Sequence, residues 1–302
     1  MNLIAPKSSP DTATLSGFVD QVLKGLGQIM LQGNRWTGWG IIAGLAIAHW
    51  GWAAAGVLAA ATGTLLARQL RWDAAAINDG LYGFSPALTG VALVVFFDNA
   101  FAAWMAVPVG AALAASLQHF FLRRQIPAYT FPFIAVTWGI VFGLAQWLPL
   151  SSGTPAPLVG WPAWTLRLLT ATNGYGQVIF QTHALSGVLF CIGVAVSRPI
   201  AALYGLGASL LGAIVAVLLG QPFELVQSGF FGFNPVLTAI VFAGPRVRDG
   251  MWVMTGVLLT TGIHQFLVAC PFLQAAGGAL TFPFVVGTWL TLILQKFIRS
   301  GA

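Results

Sequence analysis

The stretch GLYGFSPALTGV at residues 80–91 returns as GFFGFNPVLTAI at residues 229–240, with six of the twelve positions identical. Each copy ends an irregular segment and starts an apolar helix. Ser85-Pro86 and Asn234-Pro235 pair a favoured N-cap residue with a proline, which is tolerated in the first helical turn because its missing N–H has no partner there anyway. Gly83 and Gly232 are expected to allow a sharp turn just before. A helix start inside apolar sequence implies non-helical backbone at membrane depth, and that is tolerated only where it lines a cavity or is buried in protein. The carbonyls freed there are expected to form a row of acceptors. Phe84 and Phe233 stand at the two turns, with Leu88 and Leu237 one helical turn later on the same face. An isolated phenylalanine in an apolar chain reads as core or lipid contact. The same phenylalanine in both copies reads as a two-sided aromatic constriction.

The repetition extends outward from these blocks. GLGQIMLQGNRWTG (25–38) aligns with GYGQVIFQTHALSG (174–187), again 149 residues apart, and YTFPFIAVTW (129–138) aligns with LTFPFVVGTW (280–289), 151 apart. Three blocks in one order at nearly one offset describe a tandem duplication, residues 1–150 and 151–302, joined by the Ser-, Gly- and Pro-rich stretch SSGTPAPLVGWPAW (151–164). Apolar segments are read at 15–31, 36–50, 51–68, 86–97, 99–122 and 130–148, then at 168–181, 184–197, 199–220, 235–245, 250–271 and 280–297. Several are shorter than the ~20 residues of a full membrane span. The fold expected is an all-α polytopic membrane protein of two homologous repeats, each with about five transmembrane helices and one re-entrant half-helix around a central pore. An odd number of crossings per half makes the repeats inverted.

Composition agrees. Apolar residues make up 58% of the 302, and charged residues only 7%, against about 25% in ordinary soluble domains. That excludes a water-soluble globule and a disordered chain. Unalternating runs such as GWAAAGVLAAATGTLLA (51–67) exclude transmembrane strands. The 13 Lys and Arg sit singly or in pairs between apolar runs, as headgroup anchors do, and imply no nucleic acid. They fall on too many loops to orient the chain by sequence. The first 14 residues have no apolar core, so no cleavable signal peptide is expected. Cys191 and Cys270 lie in apolar stretches and read as small packing residues.

Polar residues are scarce, and the repeated blocks concentrate them. Gln28 and Gln177 follow a glycine inside apolar segments, where an unpaired amide is costly. Interhelical hydrogen bonding is the plain reading of one such glutamine. A pair at one offset points to a pore. Thr130 and Thr281 precede Phe-Pro-Phe, so each is expected to cap a helix that starts within the membrane, and a capping hydroxyl can also face a lumen. His49, His119, His183 and His264 have no metal-ligand spacing and read as satisfied loop or core residues. Glu224, in QPFELVQ (221–227), is the one carboxylate placed to lie within the membrane, with a structural role favoured over proton coupling. No nucleophile–base pair, paired carboxylates, phosphate loop or metal motif occurs, so neither an enzyme nor a cofactor or metal is expected. The path lacks charge rings and so suits a neutral solute. Flanking phenylalanines make a flat slot, and Gln, Thr and carbonyl oxygens accept hydrogen bonds. A small planar solute rich in N–H donors fits, and urea is one.

At these residues the chain resembles the urea transporter family. The family pattern of Leu-Tyr-Gly-aromatic-Asn with a leucine four residues after the aromatic appears as LYGFSPAL (81–88) and FFGFNPVL (230–237). Thr-x-Pro-Phe appears at Thr130 and Thr281, Gly-Gln-aliphatic at 27–29 and 176–178, and Pro-Phe-Glu at 222–224. The resemblance implies a passive, channel-like route for urea in a multi-pass cell-membrane protein (the inner membrane in a bacterium), assembled as a homotrimer with one pore per protomer. Carried over by position, Phe84 with Leu88 would form half of one slot and Phe233 with Leu237 half of the other. Leu31 and Phe180 would face them. Gln28 and Gln177 would bind urea in the slots, and Thr130 and Thr281 would line the middle. Ser85 departs from the family asparagine, Gln177 stands where some relatives carry Glu, and Leu31 lacks the aromatic of some bacterial members. The alternative is a proton-coupled or passive transporter of another small neutral amide. Glu224 is its candidate coupling group.

Overall fold

The computed structural model describes residues 14–98, 100–151 and 163–300, and every regular element among them is a helix. The first half contains α1 (Leu15–Gln28), α2 (Arg35–Ala48), α3 (Trp50–Gln69), α4 (Ala74–Asn78), α5 (Phe84–Phe96), α6 (Phe101–Arg123) and α7 (Phe131–Leu144). The second contains α8 (Ala163–Gln177), α9 (Ala184–Ser197), α10 (Pro199–Leu218), α11 (Phe223–Gln227), α12 (Phe233–Phe242), α13 (Val247–Val268), α14 (Pro271–Ala275) and α15 (Phe282–Ser300). The bounds of α2, α3 and α4 recur 149 residues later as those of α9, α10 and α11, and α15 starts 151 residues after α7.

Local chemistry sets many of these ends. Asn34 Oδ1 accepts from Trp36 N at 2.7 Å, and Asp73 Oδ2 from Ala76 N at 2.8 Å, each satisfying a first-turn donor. His49 is the single extended residue between α2 and α3, and its Nδ1 accepts from Gly51 N at 3.1 Å. The sharp turns before α5 and α12 depend on Gly80 (φ +76°) and Gly229 (φ +83°), where a side chain would also strike the backbone of the α1 or α8 helix. Gly83 and Gly232, the turn glycines expected from sequence, have ordinary right-handed backbone and cap the helices instead.

Burial is inverted relative to a soluble protein. Thr37, Ser85, Thr89, Gln181, Asn234 and Thr238 are fully buried, while Leu58, Leu65, Met105, Val109, Leu203 and Ile214 are exposed around the long helices. Only an apolar solvent suits such a surface. Among the described residues, four helices are each long and apolar enough to cross a membrane alone: α3, α6, α10 and α13. The apolar helices α2, α5, α7, α9 and α12 have 10–14 residues, spanning at most ~21 Å of a ~30 Å hydrocarbon core. The protein is an all-helical polytopic membrane protein in which several segments are short of a full crossing.

Side-chain contacts fix the helix directions. Trp72, just after α3, stacks on His119 near the end of α6, 4.1 Å between centroids, so these two helices run parallel. Phe121 meets Phe131 at 5.6 Å, and Gly110 lies against Ile140, so α7 returns along α6. Phe131 meets Trp289 at 5.9 Å and Trp138 meets Phe282 at 5.4 Å, making α7 and α15 antiparallel. Gly256 lies against Thr291 and Gly287 against Thr260, so α13 is antiparallel to α15. Tyr204 sits beside Gly250, and Gln221 donates to Gln265 Oε1 at 3.0 Å, so α10 runs with α13. One end of the bundle therefore gathers Arg68, Arg71, Arg123, Arg124, Arg198, Arg246, Arg248, Lys296 and Arg299. The opposite end holds Asp98 and Glu224 and, among residues whose side chains are described, neither Lys nor Arg.

Contacts between the halves come in exchanged pairs. Thr37 Oγ1 donates to Gly193 O at 2.8 Å and Ser186 Oγ to Gly44 O at 2.7 Å, which also sets α2 antiparallel to α9. Trp138 Nε1 donates to Gly278 O at 2.9 Å and Trp289 Nε1 to Pro127 O at 2.7 Å. In both pairs the second bond is the first with each residue moved by the repeat offset, 149 or 151.

Candidate solute pathway

α7 and α15 meet at their starts. Thr130 and Thr281 share a hydrogen bond at 2.7 Å, each nearly fully buried. They stand at the helix starts, as the Thr-Phe-Pro motif predicts, but Thr130 makes no side-chain cap. The hydroxyls pair across the halves instead. The first turn of α15 is satisfied from another helix: Asn234 Oδ1 accepts from Phe284 N and its Nδ2 donates to Leu280 O, both at 3.1 Å. Asn234 was expected to cap its own helix, α12, and its amide reaches across to α15. Ser85, its counterpart, is too short for that reach. Its Oγ is buried without a partner.

A cavity of about 400 Å³ opens beside this junction, lined among others by Gln177, Phe180, Ser228, Phe233, His264 and Thr281. Four of the ten residues singled out from sequence thus share one space. Phe180 is braced edge-on by Phe96 at 5.2 Å and by Phe133 at 6.3 Å. Phe233 is braced by Phe230 at 5.9 Å and by His264 at 5.3 Å. These neighbouring rings line the same cavity and hold Phe180 and Phe233 in place. Thr281 joins the cavity to Thr130 of the other half.

The other predicted residues do not line this cavity. Leu237 is fully buried in the core, as are Leu88 and, almost fully, Phe84. Gln28 is half-buried, with Nε2 donating to Asp79 O at 2.9 Å. Leu31 and Phe180 hold the same unusual backbone, φ +58° and +62°, as do Tyr129 (+48°) and Leu280 (+50°). Such conformations cost energy in non-glycine residues and cluster at functional sites. These four immediately precede the two threonines or lie three residues after the two glutamines, while Arg71, Asp98 and Gln125 hold similar backbone after α3, α5 and α6, outside the cavity lining.

Sequence reasoning took His264 for a satisfied core histidine. It lies on α13, 1% exposed, against the rings of Phe230, Phe231 and Phe233, and neither ring nitrogen has a partner. An orphaned buried polar group calls for an explanation. A hydrogen-bonding guest in the adjoining cavity would supply one. Nothing in the local pattern around His264 signals this, because the three phenylalanines come from another segment. Glu224 is exposed in the first turn of α11 and is not part of the cavity lining. Among the described residues that line the cavity, His264 alone carries an ionisable side chain, and no Asp, Glu, Lys or Arg stands there. The space suits a small, neutral, flat molecule that makes several hydrogen bonds.

A family model described as urea transporter matches residues 19–296. The chain is similar to urea transporter 1 of Rattus norvegicus, 28% identical over 315 residues covering 94% of this chain and 79% of that protein. It is also similar to urea transporter 1 of Ovis aries, 28% identical with 92% and 77% covered, and of Mus musculus, 27% identical with 94% and 79% covered.

Proposed function

Because this chain belongs to the urea transporter family, a family of transporters and not enzymes, we propose that it is a passive urea channel whose solute passes between paired aromatic walls and along an oxygen-lined centre. The observation that carries the reading is the cavity where Phe180 and Phe233 stand beside Gln177 and Thr281, continued into the first half by the Thr130–Thr281 bond. Urea's faces would lie against the rings, and its N–H groups would meet the amide and hydroxyl oxygens. Phe84, Leu88, Leu31 and Gln28 would form the matching slot of the first half, with Leu237 backing Phe233.

Residues 1–150 and 151–302 are read as inverted repeats. What supports this is the exchange of roles in the Thr37/Ser186 and Trp138/Trp289 contacts, as across a two-fold axis. Antiparallel packing of α2 on α9 and of α7 on α15 puts that axis across the helices, so the halves cross the membrane in opposite senses. About five crossings and one re-entrant piece per half accommodate the short helices. The cation-rich end faces the cytoplasm by the positive-inside rule. The homotrimer, and the cell membrane as the location, follow from the family resemblance, and light scattering of the detergent-solubilised protein measures the assembly.

Stopped-flow light scattering on proteoliposomes tests the function. Urea is expected to equilibrate far faster than in empty liposomes, with no matching acceleration of glycerol. Urea flux at the empty-liposome rate with folded protein would sink the reading. A proton gradient is expected to leave the flux unchanged, whereas acceleration by an inward gradient would favour a coupled transporter.

A further inference from the structure

The two halves differ where the long helices face outward. In the first, Trp52 and Trp104 pack at the seam between α3 and α6 against Ala55, Ala59, Val107 and Ala111. In the second, α10 and α13 leave a groove of about 440 Å³ walled by Ile200, Leu203, Tyr204, Gly207, Met254 and Val257. It faces the surroundings, since Leu203 is 68% and Met254 50% exposed. Gly207 stands where the first half, 149 residues earlier, has Leu58.

The mouth of this groove is charged. Both helices start at the cation-rich end, where Arg198, Arg246 and Arg248 are exposed. Arg198 Nη2 is anchored on Ala243 O at 2.8 Å. The counter-charge is Asp249, whose Oδ2 accepts from Arg246 N at 3.0 Å. Three cations against one anion leave the mouth positive, with Lys296 and Arg299 of α15 at the same end. Between mouth and apolar floor lies the Tyr204 hydroxyl, next to Gly250, with no hydrogen-bond partner among the described residues. The corresponding end of the first-half seam carries Asp98 and no arginine.

We propose that this groove binds one anionic phospholipid. Its phosphate would sit at the three arginines, its glycerol ester region at Tyr204, and an acyl chain along the α10–α13 floor. The order charged, polar, apolar along the groove is that of a phospholipid running from headgroup to chain. Net positive charge selects an anionic headgroup over a zwitterionic one. A second copy of this chain fits less well, since its apolar wall would cover arginines that it does not neutralise. The proposal does not rest on which solute the pore carries.

Native mass spectrometry of the detergent-solubilised protein, with phosphatidylglycerol or phosphatidylcholine of matched chains, tests it. The wild type is expected to retain phosphatidylglycerol about tenfold better, since each basic residue near the surface adds about fivefold to anionic-lipid affinity and detergent screens part of it. The Arg246→Gln/Arg248→Gln pair should abolish the preference. Gly207→Leu should cut retention of both lipids, and a side chain there meets nothing within 4 Å, so the fold should survive. Equal retention of the two lipids by the wild type overturns the proposal, as does a preference that persists in the charge variant. So does a loss of oligomers in Gly207→Leu without lipid preference, which would assign the groove to contacts between copies. If Gly207→Leu fails to fold, the charge variant decides alone.

Discussion

At the scale of single residues, His264 is the most informative side chain. Phenylalanine there would keep the ring contacts with Phe230, Phe231 and Phe233 and remove two unpaired polar atoms, each costing about 1–3 kcal/mol when buried. His264→Phe is therefore expected to raise the melting temperature by several degrees while lowering urea permeability severalfold. Higher stability with unchanged permeability would make His264 a packing residue only. Phe233 has the opposite character. Phe233→Leu keeps an apolar wall but loses the flat face, so the ratio of urea to glycerol flux should fall while thermal stability drops by only about 1–2 kcal/mol. A stability loss with an unaltered flux ratio would place Phe233 in the core alone.

Among elements, α5 and α12 make the cleanest comparison, because they share a sequence pattern and differ at the buried residue just after the first phenylalanine. Asn234 of α12 satisfies both a donor and an acceptor at the start of α15, whereas Ser85 of α5 leaves its hydroxyl unpaired. By the repeat offsets, an asparagine at 85 would face Tyr129 O and Phe133 N of α7. Ser85→Asn should thus stabilise the protein by about 1–2 kcal/mol through two new hydrogen bonds, seen as a higher melting temperature with urea flux retained. Destabilisation would mean that α5 and α7 leave no room for the longer side chain. The α7–α15 junction is the second case. Thr281→Val leaves the buried Thr130 hydroxyl without its partner. It should slow urea more than it slows folding, and the Thr130→Val/Thr281→Val pair should regain stability without regaining flux.

For the whole molecule, the sorting of charge is the main result. Nine cations collect at one end although they are spread from Arg68 to Arg299 along the chain. Their grouping follows from the antiparallel setting of equivalent helices, which puts the C-terminal ends of α3 and α6 at the same end of the bundle as the N-terminal ends of α10 and α13. With that end in the cytoplasm, Lys296→Cys in intact cells should resist a membrane-impermeant maleimide and Gln146→Cys, exposed at the other end, should react. The reverse pattern would invert the orientation. Free Cys270, half-buried at the opposite end, would be replaced by serine first.

Much of the fold was legible because its signals are local. Each of the twelve apolar segments corresponds to a helix, and 184–197 coincides with α9 to the residue. Repeated Gly-Phe-x-Pro and Thr-Phe-Pro-Phe words marked where helices start, since caps, prolines and glycines act within a turn of where they stand. The all-helical membrane class, the absence of catalytic motifs and the family resemblance came from the same kind of information. Everything that depends on distant partners needed the tertiary structure: the Thr130–Thr281 bond, the reach of Asn234 to α15, the unpaired nitrogens of His264, the gathering of the cations and the groove between α10 and α13. The five-residue helices α4, α11 and α14 also escaped reading, being too short to show a period. A sequence records which residues prefer to turn, span or cap, because those preferences are carried by neighbours in the chain. Which hydroxyl meets which, and which end collects the charge, is decided by how the halves pack, and no local pattern encodes that.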